Sequence, residues 1–323
     1  MWRKFKLLKN PILFQGKGKS KRYFEGWYFK QVSDDLKTTI SFIPGISLDE
    51  KDPHSFIQCI YVKDAAVIKT EYFRYGVHEL HSTDDPFTIT IGENLFSNKE
   101  INLNLEQNDV SIKCLFKFSS FRPIQTSWLS PNIMGYFAYV PFMECYHGIV
   151  SMSHRVSGRL QIGSESLPFI AGRGYIEKDW GRSFPSEYAW IQSNHFGEDD
   201  VSLMCSIATI PFLGGAFQGF ICNVTHKNEE YRFASYNGSR LELLTFTDEK
   251  ISLRLRNKHV TIDIDAKMAV GAPLKAPQNG AMSLIIKEGL SGSVKIRLYS
   301  SRSGEAILTT ESKLCGIELV KKE

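Results

Sequence analysis

The sequence predicts an all-β protein of two domains related by duplication, and three observations lead there. Short apolar–polar alternations recur along the whole chain, such as Ile101–Leu105 (INLNL) and Val110–Phe118 (VSIKCLFKF), and period two is the signature of strands. No segment keeps a helical 3.6-residue period beyond about two turns, and 12 Pro and 24 Gly punctuate the alternations. Two stretches also repeat: GWYFKQVSDDLKTTISFIP (26–44) is similar to AWIQSNHFGEDDVSLMCSIATIP (189–211), each with a Trp, a strand, an Asp-Asp turn, a second strand and a Pro. Trp27 and Trp190 stand at the same offset as Cys59 and Cys222. Many short strands at roughly ten-residue spacing mean sandwiches or barrels.

The 323 residues suffice for roughly two domains. Taken in order, they predict a basic arm (1–22), a first β-domain (23–173), a junction (174–185) and a second β-domain (186–323). The arm holds Arg3, Lys4, Lys6, Lys9, Lys17, Lys19, Lys21 and Arg22, and reads as a solvated tail or as an attraction to an anionic membrane surface, a peripheral contact. Its Gly16–Ser20 run lacks the leading Gly of a phosphate loop. Net charge is +4, too mild and too evenly spread to imply nucleic acid. The six Cys form no CxxC pair and no metal-like spacing, so no metal site is predicted and the thiols read as reduced, in a cytoplasmic protein.

The first strand, Tyr23–Lys30, places Glu25 on the face of Trp27. Glu25 is then a semi-buried acid, or the partner of a base such as Arg22. Trp27 and Trp190 read either as ligand walls or as plugs closing a small barrel. Met143–Val150 reads as a strand with Glu144 and His147 on opposite faces, so the two cannot form a dyad, although either can line a pocket. The densest stretch is Gly174–Phe196, GYIEKDWGRSFPSEYAWIQSNHF. Glu177 and Asp179 lie two apart and share a face if extended, and Trp190, Gln192 and Asn194 share another, with His195 facing away.

Three stretches together, FEGWYFK (24–30), 174–196 and the tail 274–319, resemble the tocopherol cyclase family. Its E-K-x-W-G-x-x-F-P-x-x-x-x-W-x-Q-x-N-x-F signature is met by Glu177, Lys178, Trp180, Gly181, Phe184, Pro185, Trp190, Gln192, Asn194 and Phe196. The resemblance implies two lipocalin-like (calycin-like) antiparallel domains, as in carotenoid hydratases and some fungal Diels–Alderases. It also implies a cofactor-free pocket near the domain junction and cyclisation of a prenylated hydroquinone to a chromanol. That chemistry needs an acid to protonate an alkene and aromatic faces for the cation. Glu177, Asp179 and Glu25 are the candidate acids; Trp27, Trp180, Tyr188, Trp190, Gln192, Asn194, Glu144 and His147 are candidate contacts for an apolar or prenylated ligand. Two rival readings stand beside this one. Lys178 and Arg182 neutralise Glu177 and Asp179 in a structural network, or the protein carries a lipid or isoprenoid without turnover.

Overall fold

The computed structural model describes residues 2–198, 200–212 and 215–321, which divide into two units. The first comprises residues up to 134, 138–184 and 275–284. It opens with helix α1 (Trp2–Lys9) and continues with β1 (Tyr23–Val32), β2 (Thr38–Leu48), β3 (His54–Lys63), β4 (Ala66–Tyr75), β5 (Leu80–Asp84), β6 (Phe87–Ile91), β7 (Asn94–Ser97), β8 (Glu100–Gln107), β9 (Val110–Ser119), β10 (Cys145–Ile162) and β11 (Glu165–Gly181). These form one 11-stranded antiparallel sheet in the order β4-β3-β2-β1-β11-β10-β9-β8-β7-β6-β5. In β8 the sequence alternation becomes an alternation of burial: Ile101, Leu103 and Leu105 lie inside while Asn102 and Asn104 meet water. The core gathers Trp27, Phe29, Phe42, Phe96, Phe116 and Ile176, each burial worth about 1.5–3 kcal/mol against exposure.

The second unit (135–137, 185–274 and 285 onward) carries β12 (Tyr188–Ser193), β13 (Ser202–Phe212), β14 (Gly215–His226), β15 (Glu229–Ala234), β16 (Arg240–Phe246), β17 (Lys250–Arg256) and β18 (Val260–Lys267). The strands β19 (Ala272–Gln278) and β20 (Ala281–Ser300) follow, then β21 (Ala306–Val320). The second sheet runs β15-β14-β13-β12-β21-β20-β18-β17-β16, with β19 on β20. Both sheets thus set the last strand of their repeat beside the first, so β1 answers to β12, β3 to β14 and β11 to β21. The fold is two antiparallel, lipocalin-like β-domains. Cys59 on β3 and Cys222 on β14 both face their cores.

The Trp match is one residue out. Trp27 faces the first core with Phe29, but in β12 it is Ala189 and Ile191 that face the second core, so Trp190 points the opposite way. The loop between β12 and β13 (194–201) is longer than that between β1 and β2 (33–37), and a one-residue change of offset turns a strand's side chains to the other face. Gly174–Gly181, expected to open the junction, form the end of β11 beside β1. The first unit ends this part of the chain at Phe184.

The solvated-arm reading of 1–22 is corrected for residues 5–16. Leu7 and Ile12 pack on the first core and Leu13 lies within it. Trp27 Nε1 donates to the Ile12 carbonyl (2.7 Å), Lys178 Nζ donates to that of Leu13, and the amides of Gln15 and Gly16 donate to Glu25 (2.8 Å each). Buried polar groups of β1 and β11 need partners, and this backbone supplies them.

Candidate active site

β11 sorts its charged residues by alternation. Lys178 points to the core side with Ile176 and Trp180; Tyr175, Glu177 and Asp179 point the other way. On the core side Lys178 pairs with Glu25 at 2.5 Å, both at 0% side-chain exposure. Glu25 also accepts the Tyr23 hydroxyl at 2.5 Å. Burial pulls the Lys178 ammonium down to about 8 against the opposing pull of Glu25. That ammonium sits 4.6 Å from the Trp27 ring centre and 5.0 Å from that of Trp180, and Tyr146 stacks on Trp180. Trp27 and Trp180, both expected as ligand contacts, therefore hold the protein's own cation. Glu25, surrounded by donors, is an ion-pair partner, with Lys178 rather than Arg22; Arg22 pairs with Glu50.

On the opposite face β10 brings His147 level with Asp179 and Ile149 level with Glu177. His147 Nδ1 lies 2.8 Å from Asp179 Oδ1, and its Nε2 lies 3.4 Å from Glu177 Oε2. The Tyr175 hydroxyl donates to the same Oε2 at 2.5 Å. From β1, Tyr28 pairs in register with Glu177 and Gly26 with Asp179. Burial alone would push the imidazole down, but Asp179 and Glu177 outweigh it and hold His147 at about 9, charged at neutral pH. Burial, then Glu177, raises the Tyr175 phenol well above its ordinary range, so it stays a donor.

Gly181 closes β11 at φ 150°, and a Cβ there would come within 2.3 Å of the Glu144 carbonyl oxygen, so the Gly of the E-K-x-W-G motif answers to a close backbone approach. That carbonyl accepts the amides of Arg182 and Ser183, which is how Glu144 takes part locally. The structural-network reading of the motif is revised too: Lys178 pairs on the far face, and Arg182 donates to Asn279 at 3.1 Å.

The donor atoms of His147, Glu177 and Asp179 lie within 4.8 Å of one another, a span a small divalent ion could bridge. The two ring nitrogens address different carboxylates, however, so an ion could take only one carboxylate together with a ring nitrogen. The set is better suited to holding a proton.

Tyr188, Trp190, Gln192 and Asn194 are buried and belong to the second unit, where β12 ends at Ser193 and leaves Asn194 beyond the strand. Trp190 pairs in register with Glu318, and Tyr188 donates to Glu318 Oε2 at 2.6 Å. Glu318 lies level with the buried Glu288 of β20. Sequence reasoning missed Tyr175, Glu288 and Glu318, and placed His147 without its acidic partners. A groove of about 440 Å³ on the second unit is ringed by Lys250, Lys267, Lys295 and Lys313, a charged lining ill-suited to an apolar chain.

The profile of the family described as tocopherol cyclase-like matches residues 97–320. The maize "Tocopherol cyclase, chloroplastic" is 25% identical over 197 residues, and a rice protein described as a probable chloroplastic tocopherol cyclase is 24% identical over 196. Each match covers 57% of this chain but only 41% of the relative's own length. Among solved structures, CghA with Sch210972 superposes with a TM-score of 0.59 at 8% identity, covering 93% of this chain and 89% of its own. Kievitone hydratase from Nectria haematococca follows at 0.50 and 11%, covering 92% and 88%. With its residues matched from β7 to the end of β21, the chain belongs to the tocopherol cyclase-like family.

Proposed function

We propose that this protein is a cofactor-independent cyclase or hydratase of a prenylated or otherwise apolar small molecule, working by proton transfer from the Glu177–His147–Asp179 cluster. The observation that carries the reading is an imidazole, its side chain only 12% exposed, bracketed by two carboxylates on one face of β10 and β11. The family membership and the hydratase among the structural neighbours support the reaction class.

Asp179 accepts a hydrogen bond from the Nδ1–H of His147, which fixes the ring and leaves Nε2 as the nitrogen that exchanges a proton with Glu177. Glu177 passes that proton to the less substituted carbon of a trisubstituted alkene and leaves a tertiary cation. The phenol oxygen of the same molecule, or a water, attacks the cation, and the O–H proton released returns to the cluster. Cyclisation is then a net isomerisation, and hydration adds one water. Tyr28 and Tyr175 flank Glu177 and offer aromatic faces to the cation, the role that Trp27 and Trp180 cannot fill while they hold Lys178.

The test is incubation with prenylated hydroquinones, followed by mass spectrometry and chromatography. The expected product has either the substrate's mass with a new retention time or a mass gain of one water. Glu177→Gln and His147→Gln should each lower the rate by about 10²–10⁴-fold. Ligand that co-purifies and returns unchanged, with neither substitution altering anything, marks a carrier and overturns the reading.

A further inference from the structure

Three large side chains of the first unit, all within residues 128–142, stand in solvent: Trp128 at 73% exposure, Leu129 at 75% and Phe142 at 98%. Single exposed apolar residues are ordinary; a cluster of them needs an occupant. The segment of Trp128 and Leu129 is tied to α1 and to Tyr139, three residues before Phe142. The Tyr139 hydroxyl donates to the Trp128 carbonyl at 2.6 Å, and the Trp128 ring packs 6.3 Å from that of Phe5 on the helix. Asn132 Nδ2 donates to the Leu8 carbonyl at 3.0 Å, tying the loop to the helix end. Phe142 sits at φ 66°, a left-handed conformation that bulky residues rarely take, so the backbone departs from its preference while the ring faces water.

The charge around this cluster has one sign. Residues 1–24 contain eight Lys and Arg and no Asp or Glu, and 120–143 contain Arg122 and no acid. Lys6 and Lys9 are exposed on α1, with Lys9 Nζ 4.8 Å from the Phe5 ring centre. Exposed Trp, Leu and Phe beside a basic helix free of acids combine the two attractions that hold a protein on a bilayer surface: apolar insertion at headgroup depth and attraction to anionic lipid.

We infer that α1 and the loop bearing Trp128, Leu129 and Phe142 form a docking surface for an anionic phospholipid bilayer. Docking needs no turnover, so its failure would leave the proposed reaction untouched. The experiment is vesicle co-sedimentation of the full chain, with phosphatidylcholine alone and with phosphatidylcholine mixed with phosphatidylserine, at low and high salt. The expected result is binding to the mixed vesicles, weakened by salt. Lys6→Glu with Lys9→Glu, and separately Trp128→Ala with Leu129→Ala and Phe142→Ala, should each weaken binding at least about tenfold. Far-UV circular dichroism and thermal unfolding confirm that each variant folds; where one does not, the single change Phe142→Asp takes its place, since that side chain makes almost no contact with the protein. Wild type that ignores the mixed vesicles overturns the inference. So do variants that bind as well as wild type, and so does a concentration-dependent self-association that the triple variant abolishes, which would make the patch an interface between protein copies.

Discussion

β11 and β21 hold the same place in their two units, next to the first strand of the repeat, and each carries a buried Glu on the face turned away from its core. Glu177 lies level with Tyr28 and accepts the hydroxyl of Tyr175; Glu318 lies level with Trp190 and accepts the hydroxyl of Tyr188. The difference is the next strand. β10 offers His147, with Asp179 behind it, whereas β20 sets Glu288 level with Glu318. Duplication thus explains a shared position for a carboxyl, and the imidazole distinguishes the one proposed to exchange protons. The units also differ on the core side, where the first buries the Lys178–Glu25 pair.

That comparison breaks most sharply in kinetics. Under saturating prenylated substrate, Glu177→Gln should cost about 10²–10⁴-fold in rate while Glu318→Gln stays within about tenfold, because a general acid is lost only in the first. Initial rates for the two variants side by side decide it; equal losses would assign chemistry to both carboxyls. Next in size, Lys178→Met leaves Glu25 buried without its cation and should cost about 3–5 kcal/mol in urea unfolding. The double variant Glu25→Gln with Lys178→Met should recover part of that, as removing both charges is less costly than removing one.

Stability should also depend on pH through His147. Its folded value, about 9, lies above the ordinary 6.5, so its contribution is fully present below about 6.5 and fades as pH rises through about 9. Thermal unfolding at pH 6 and near pH 9.5 should show a drop that His147→Gln and Asp179→Asn both flatten; an unchanged slope in either would remove the imidazolium from the account. The smallest effect tests the duplication itself. Cys59→Ala and Cys222→Ala occupy matching core positions, and each should cost about 0.5–3 kcal/mol, by similar amounts.

Strands and repeat were legible because period-two patterning and the Cys59–Cys222 offset survive in the sequence. The pairing of Glu177 and Asp179 on one face was legible for the same reason. His147 was not, and the cause is local. Strict hairpin counting back from the Ile162–Glu165 pair sets His147 opposite Trp180, on the Lys178 face. Three register shifts, between Ile149 and Ser151, Ser151 and His154, and Val156 and Gly158, move it opposite Asp179 instead. At Gly158 the shift has a visible source: φ is 139°, and any Cβ would meet the Leu115 carbonyl at 1.9 Å. Composition does not announce a bulge, yet these bulges decide which face receives the imidazole. The Glu25–Lys178 pair was hidden for another reason, that a base distant in sequence answered the acid.

The docking of residues 12–16 on β1 and β11 sets a schedule for synthesis. The Leu13 carbonyl and its Lys178 donor are 165 positions apart. At a translation rate of about 5–20 residues per second, the amino-terminal stretch waits on the order of 10–30 s before its partner leaves the ribosome. Throughout that interval Glu25 lacks its Lys178 partner and Trp27 has no finished core to enter.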